Sequence, residues 1–260
     1  MYPKLITIGD FFIPTYGVLT AIAFLLALWV TVRLGRKTGL DGDRLTNLGI
    51  YCALAGMLGA KLAMFLFDWR YYSSHPGELF SITTLQAAGV FQGGLVLAIA
   101  VAVFYTRKFH MPGLLTSDAF APGIALGHAI GRLGCFSAGC CWGTPTDKPW
   151  AVTFTNPDAN KMFGTPFGVP LHPTQLYEFG AELLVFALLF WRFRKPHRPG
   201  DIIGLYLIVS SVFRFIIEFY RFHEQSLIAG LSLTQWISLV LIVAGALVLY
   251  GRPSQRVAVA

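Results

Sequence analysis

Charge is what this chain has least of. Only 13% of its 260 residues are Asp, Glu, Lys or Arg, about half of the roughly 25% in an average soluble domain. With 55% hydrophobic residues and a mean hydropathy of +0.61, that shortage excludes a soluble globular protein. It equally excludes disorder, a coiled coil and a collagen-like rod. A basic n-region before the first apolar window is missing, and so is a small-residue cleavage site after it. That window therefore reads as an uncleaved helix rather than a signal peptide. Internal repeats, low-complexity tracts and a separate soluble domain are also absent. Cysteine is scarce, at four, and no Cys-x-x-Cys occurs, which argues against a redox enzyme. What remains is an all-α integral membrane protein with a single transmembrane domain over 1–260. Its net charge of +7 then speaks of topology, and no nucleic-acid partner is expected.

Apolar windows fall near 13–33, 46–67, 89–106, 116–136, 172–191, 201–220 and 230–250. The fourth is weak, because it holds Asp118, Pro122, His128, Arg132 and several Gly. Charge decides whether it spans. With seven spans, one side collects Arg33, Arg36, Lys37, Arg44, Arg107, Lys108, Arg192, Arg194, Lys195, Arg198, Arg252 and Arg256. The other side has Lys4, Arg70, Lys148, Lys161 and Arg221, while Lys61, Arg132 and Arg214 lie inside spans. Twelve against five becomes ten against eight if the fourth span is dropped. The positive-inside rule thus predicts seven helices, N-terminus out and C-terminus in. The fourth, polar and Gly-rich, belongs in the bundle interior. Residues 137–171, between the fourth and fifth spans, form an outer-side loop with a β-like run at Trp150–Thr155, expected to be an ordered flap.

Ionisable residues within spans mark function by default. On this topology Tyr16, Lys61, Gln92-Gly93-Gly94, His128, Arg132, His172, Gln175, Tyr177, Glu178, Arg214 and Glu218 all lie in the outer halves of six spans. Scattered structural polar residues would not share one depth, so a site open to the outer leaflet is expected. Bland readings stand beside this. Arg214 and Glu218 are i,i+4 and could be a buried pair locking the bundle. Lys61 could snorkel, Gly93-Gly94 could serve close helix packing, and Tyr16 and Tyr177 could be interfacial aromatics. Arg132 has no acidic residue three or four positions away. It must find a partner elsewhere, and a lipid phosphate suits its planar fork.

Cys52 reads as a small core residue. Cys135, Cys140 and Cys141 close the fourth span on the outer side, where a disulfide from Cys135 to Cys140 or Cys141 is sterically possible. Metal binding is the weaker reading, since the spacing is not a zinc pattern and only His172 offers a fourth ligand. No metal and no organic cofactor are expected.

The string Gly131-Arg132-Leu133-Gly134-Cys135-Phe136-Ser137-Ala138-Gly139-Cys140-Cys141-Trp142-Gly143 resembles the signature of bacterial prolipoprotein diacylglyceryl transferases. Pro14-Thr15-Tyr16-Gly17, Gly59-Ala60-Lys61-Leu62, His172-Pro173-Thr174-Gln175-Leu176-Tyr177-Glu178 and the block Phe213–Arg221 are similar to further motifs of that family, in its order. The resemblance implies a seven-helix enzyme of the bacterial inner membrane with its site facing the outer leaflet. Such an enzyme moves the diacylglyceryl group of phosphatidylglycerol to the lipobox cysteine of a prolipoprotein. A thioether forms and glycerol-1-phosphate leaves. The partners implied are phosphatidylglycerol, prolipoprotein signal peptides and membrane lipid.

On this reading Arg132 and Arg214 hold the phosphate of the leaving group, with Tyr16 and Glu218 beside them. Lys61, Gln92, Gly93, Gly94 and Gly143 contribute to lipid binding, and His172, Gln175, Tyr177 and Glu178 support the site. Four positions depart from the family pattern. Gln92 stands where the family has a His often taken as the base, Cys135 and Cys140 replace its Asn and Glu, and Ser210 replaces a Tyr. A cysteine thiol needs deprotonation before it attacks. His128, one turn from Arg132 on the same helix face, could accept that proton, with Arg132 holding it neutral. It could equally be a core residue bonding across helices, or the cationic pocket alone could activate the thiol. The alternatives to this enzyme are a divergent paralogue with another acceptor and a non-catalytic phospholipid-binding or translocating protein.

Overall fold

The structure is a computed structural model that describes residues 2–9, 11–81, 84, 89–222, 228–251 and 257. The inner-side charges Arg252 and Arg256 lie outside the described residues. Among the described residues, seven long helices stand within four residues of the expected windows: α1 Thr15–Lys37, α2 Gly42–Phe67, α3 Phe91–Lys108, α4 Gly113–Ala138, α5 Thr174–Phe193, α6 Asp201–Ile217 and α7 Leu233–Gly251. Four are long and apolar enough to cross a membrane by length and composition: Thr15–Lys37, Gly42–Phe67, Asp201–Tyr220 (α6 with its 3₁₀ extension Glu218–Tyr220) and Leu233–Gly251. Apolar residues such as Leu34, Leu189 and Phe193 form the core, but burial departs from that of a soluble protein in two ways. Leu25, Trp29, Leu184, Val240 and Leu247 are exposed, while Asp118, Glu178, Glu182, Glu218 and Gln235 are buried. Exposed large apolar side chains together with buried charged ones are the pattern of a multi-pass membrane protein.

Chain contacts divide the molecule into two compact units, Leu40–Thr116 and the combination of Met1–Gly39 with Ser117–Ala260. The smaller unit is built on α2 and α3. Asp41 caps α2, its carboxylate accepting from the amides of Asp43 and Arg44. The two helices cross on small residues. A Cβ on Gly93 would sit 2.3 Å from the Ala63 Cβ, and one on Gly94 would sit 2.6 Å from the Gly56 carbonyl oxygen. The Gly93–Gly94 pair is therefore taken up by close helix packing. In this unit Lys61 donates to the Thr84 carbonyl, and Gln92 is exposed.

The larger unit begins with a hairpin, β1 Lys4–Ile8 against β2 Phe11–Pro14, that leads directly into α1. α1 meets α4 at another small-residue contact, where a Cβ on Gly123 would lie 2.5 Å from the Ala27 carbonyl oxygen. Asp118, which made the fourth window look weak, has a structural task. Its buried carboxylate accepts from the amides of Gly200 (2.7 Å), Ile202 (3.1 Å) and Ile203 (2.8 Å). A remote side chain thus satisfies the orphan donors that open α6. Between α4 and α5 the chain makes β3 Val152–Thr153, a helix Pro157–Phe163 and β4 Pro170–Leu171, with β3 and β4 paired antiparallel. The expected run Trp150–Thr155 contains β3. Lys4 ties this segment to the hairpin through Asp158 at 3.1 Å.

Candidate active site

The first turns of α5 present one polar face. Gln175, Glu178 and Glu182 are all buried there, and Val185 and Leu189 continue the same stripe. A carboxylate taken out of water must be paired, and Glu178 is paired three times. Arg132 on α4 brings Nη2 to 2.7 Å from its Oε2. Arg214 on α6 and Arg221 beyond it bring Nη1 to 3.1 Å and 3.3 Å of its Oε1. Arg214 also reaches Glu218, one turn on, at 2.7 Å. Glu218 accepts in turn from the Ser232 hydroxyl at 3.0 Å. Ser232 and Gln235 form a capping box that starts α7. Three guanidinium groups from three segments thus converge on one carboxylate, and each keeps part of its surface open, 16% for Arg132, 20% for Arg214 and 18% for Arg221.

His128 lies one turn along α4 from Arg132. Arg132 Nε donates to its Nε2 at 3.2 Å, so that nitrogen is the acceptor and the imidazole proton belongs on Nδ1. Nδ1 faces Glu182 Oε1 at 3.3 Å. The same oxygen accepts from the Ser210 hydroxyl of α6. An imidazolium at this place would face Glu182 and, at 3.7 Å, Glu178.

The turn after α4 is gripped from α5. Gln175 Nε2 donates to the Cys140 carbonyl at 2.6 Å, and the Thr174 hydroxyl donates to that of Cys141 at 2.8 Å. Gly139 at φ +83° and Cys141 at φ +61° take left-handed backbone to make the turn. Cys52, Cys135, Cys140 and Cys141 are all free thiols. The bridge expected among the last three is not formed, although their sulfurs lie within 4.8 Å of one another. Hydrogen bonds with Cys135 and Cys140, reinforced by Arg221 and Arg132, hold the Cys141 thiol below the ordinary range. Gly143 bridges to the chain at Arg221, where a Cβ would come to 2.6 Å of the His172 and Tyr220 backbones. Trp150 Nε1 donates to the Tyr177 hydroxyl at 2.7 Å, which leaves Tyr177 to donate to His172 Nδ1 at 3.0 Å. Tyr16 packs on α4 at Gly134, whose Cβ would stand 3.0 Å from its ring.

The structure therefore brings together Arg132, Arg214, His128, Glu178 and Glu218, and joins Gln175, Gly143, His172 and Tyr177 to the turn and flap beside them. Lys61, Gln92, Gly93 and Gly94 belong to the other compact unit. Arg132 does find a protein counter-ion, Glu178, 46 residues along the chain from it. Glu182 and Arg221 were not anticipated as site residues. A signal for Glu182 existed, since it lies four residues after Glu178, immediately before the apolar run Leu183–Trp191.

A family model described as prolipoprotein diacylglyceryl transferase matches residues 3–251. Among relatives, a phosphatidylglycerol–prolipoprotein diacylglyceryl transferase of Bordetella parapertussis is 37% identical over 252 residues, covering 94% of this chain and 92% of its own length. Proteins of the same name from Bordetella avium and Clostridium tetani are 36% and 32% identical, over 98% and 94% of this chain and 95% of their own lengths.

Proposed function

The chain belongs to the prolipoprotein diacylglyceryl transferase family, and from that premise we propose how its residues carry out the transfer. It is a transferase that moves the diacylglyceryl group from phosphatidylglycerol to a prolipoprotein in lipoprotein maturation. The acceptor atom is the sulfur of the lipobox cysteine. The sulfur attacks the glyceryl carbon, the carbon–oxygen bond to phosphate breaks, and the electron pair leaves with glycerol-1-phosphate.

The observation that carries this assignment is the convergence of Arg132, Arg214 and Arg221 on Glu178. Each guanidinium has five N–H donors, and one carboxylate cannot occupy them all. Glu178 gathers the three cations so that their remaining donors meet a phosphate already arranged. Preorganised donors facing a developing phosphate charge lower the barrier without paying for reorganisation during the reaction. Glu218 and Tyr16 complete this site, Glu218 by fixing Arg214 and Tyr16 by packing on α4 beside Cys135.

The thiol proton goes to His128 Nε2 once Arg132 turns its Nε–H toward the phosphate. Glu182 holds the opposite nitrogen and stabilises the imidazolium formed. Gln92, an amide, cannot take that proton. All seven long helices span the inner membrane, N-terminus out, and the site opens to the outer leaflet. The asymmetry of Lys and Arg supports this orientation.

The test is product chemistry. Purified protein incubated with phosphatidylglycerol and a lipobox peptide should raise the peptide mass by one diacylglyceryl group, and a Cys→Ser peptide should gain nothing. A bound lipid with no mass gain would leave a phospholipid binder in place of the enzyme.

A further inference from the structure

Where the family resemblance expects Asn and Glu, this chain has Cys135 and Cys140, and Cys141 adds a third sulfur. The three Sγ atoms lie within 4.8 Å of one another. They are held there by the fold. Cys135 sits in the last turn of α4, and its carbonyl accepts from the amides of Gly139 (2.9 Å) and Cys140 (3.1 Å). The carbonyls of Cys140 and Cys141 are fastened to α5 by Gln175 and Thr174, and the left-handed backbone at Cys141 closes the turn. All three cysteines are half-buried.

We propose that Cys135, Cys140 and Cys141 form a three-sulfur site for a thiophilic d10 cation, Zn²⁺ or Cu⁺. Soft thiolate ligands select these ions over hard cations. A Zn–S bond of about 2.3 Å puts bound sulfurs roughly 3.8 Å apart, so from separations within 4.8 Å the cluster contracts by about an ångström at most, within the reach of side-chain rotation. Binding converts three thiols to thiolates, forms three metal–sulfur bonds and releases three protons to solvent, with no change of oxidation state. The trithiolate carries an excess of negative charge around either ion, and the guanidinium groups of Arg132 and Arg221 act on it electrostatically. Among the described residues the cluster consists of these three cysteines, and His172 does not belong to it. The remaining position of a four-coordinate ion stays open to an exogenous ligand, whereas Cu⁺ is satisfied by three sulfurs. The ion would lock the turn that joins α4 to the flap.

The proposal is tested on reduced, purified full-length protein in detergent, equilibrated anaerobically with Zn²⁺ or with Cu⁺ and then dialysed against a competing chelator. One ion per chain should be retained, with metal analysis after each loading identifying which ion holds. Co²⁺ in place of Zn²⁺ should give a near-ultraviolet thiolate-to-metal charge-transfer band. Each of Cys135→Ser, Cys140→Ser and Cys141→Ser should abolish the band, while Cys52→Ser should keep it. Size-exclusion profile and thermal midpoint verify that every variant is folded. Retention unchanged in the Ser variants would overturn the site, as would failure of the reduced parent to retain either ion. So would recovery of Cys135 disulfide-bonded to Cys140 or Cys141 from freshly isolated membranes. Because metal content and spectrum are read without substrate, a negative result here is distinct from failure of transfer.

Discussion

His128 Nδ1 lies 3.3 Å from Glu182 Oε1, while its other ring nitrogen accepts from Arg132 at 3.2 Å. The imidazole is thereby held between a guanidinium and a carboxylate on two different helices. Its tautomer follows from those partners, and the nitrogen with the lone pair is the one turned toward the arginine cluster.

If this pair handles the thiol proton, His128→Gln should lower kcat by roughly 10²–10⁴-fold, the usual worth of general-base catalysis. Glu182→Gln should give a smaller loss and move the pH–rate profile, because it removes the carboxylate that stabilises the imidazolium. A rate within about threefold of the parent for His128→Gln at every pH would leave His128 as a core residue.

Arg132→Lys should fail almost as fully as Arg132→Ala. Arg132 uses Nη2 on Glu178 and Nε on His128 at once, and one ammonium cannot reproduce a planar fork that points in two directions. Transfer rates and phosphatidylglycerol affinity of the two variants check this. Near-normal transfer with unchanged lipid affinity in Arg132→Ala would remove Arg132 from phosphate binding.

The helices were legible because hydropathy and helical length are local properties. Even the polar window 116–136 is a helix of 26 residues, and the loss of charge asymmetry on deleting it was readable from Lys and Arg positions alone. The site was legible as a list but not as a network. Arg132 looked unpaired because its partner is on another helix, and Asp118 looked like a defect because the amides it caps are 82 to 85 residues away. The cysteine spacing gave no metal pattern. It takes the left-handed turn at Gly139 and Cys141 to bring the three sulfurs together.

The α2–α3 crossing should be intolerant of side chains. Gly93→Val would force atoms to within 2.3 Å of the Ala63 Cβ, which requires the helices to separate. A loss of about 1–3 kcal/mol, the usual cost of overpacking, should appear as a lower thermal midpoint. The control is Gly131→Ala, where a Cβ meets nothing within 4 Å.

His197 gives a pH dependence of stability. It lies between α5 and α6, fully buried, with Nδ1 on the Lys195 carbonyl at 3.0 Å and Nε2 without a hydrogen-bond partner among the described residues. Burial pushes its pKa below the ordinary 6.5, and Arg192 adds to this. The folded state then binds fewer protons than the unfolded state below 6.5. Stability is therefore fully present above that pH and falls as pH drops below it, toward the folded value. Thermal midpoints near pH 7.5 and 5.5 should differ, and His197→Phe should narrow the gap. A gap of the same size in the variant would assign the pH dependence to other groups.

Glu178 is the residue on which three arginines depend, so its loss should be felt in both stability and activity. In Glu178→Gln the side chain keeps its size and one acceptor oxygen but loses its charge. Arg132, Arg214 and Arg221 are then left to repel one another, with Glu218 the remaining carboxylate bonded to Arg214. Breaking a buried ion pair from one side costs about 3–5 kcal/mol, which should lower the thermal midpoint. The charge argument makes a second, opposite expectation. A phosphate can replace the missing anion, so phosphatidylglycerol vesicles should raise the midpoint of Glu178→Gln by more than that of the parent, even while transfer is slowed. Equal stabilisation of both proteins by phosphatidylglycerol would show that the arginines gathered by Glu178 do not meet the lipid phosphate. Phosphatidylcholine vesicles serve as the control for non-specific lipid effects, since they offer a phosphate neutralised by its own cation.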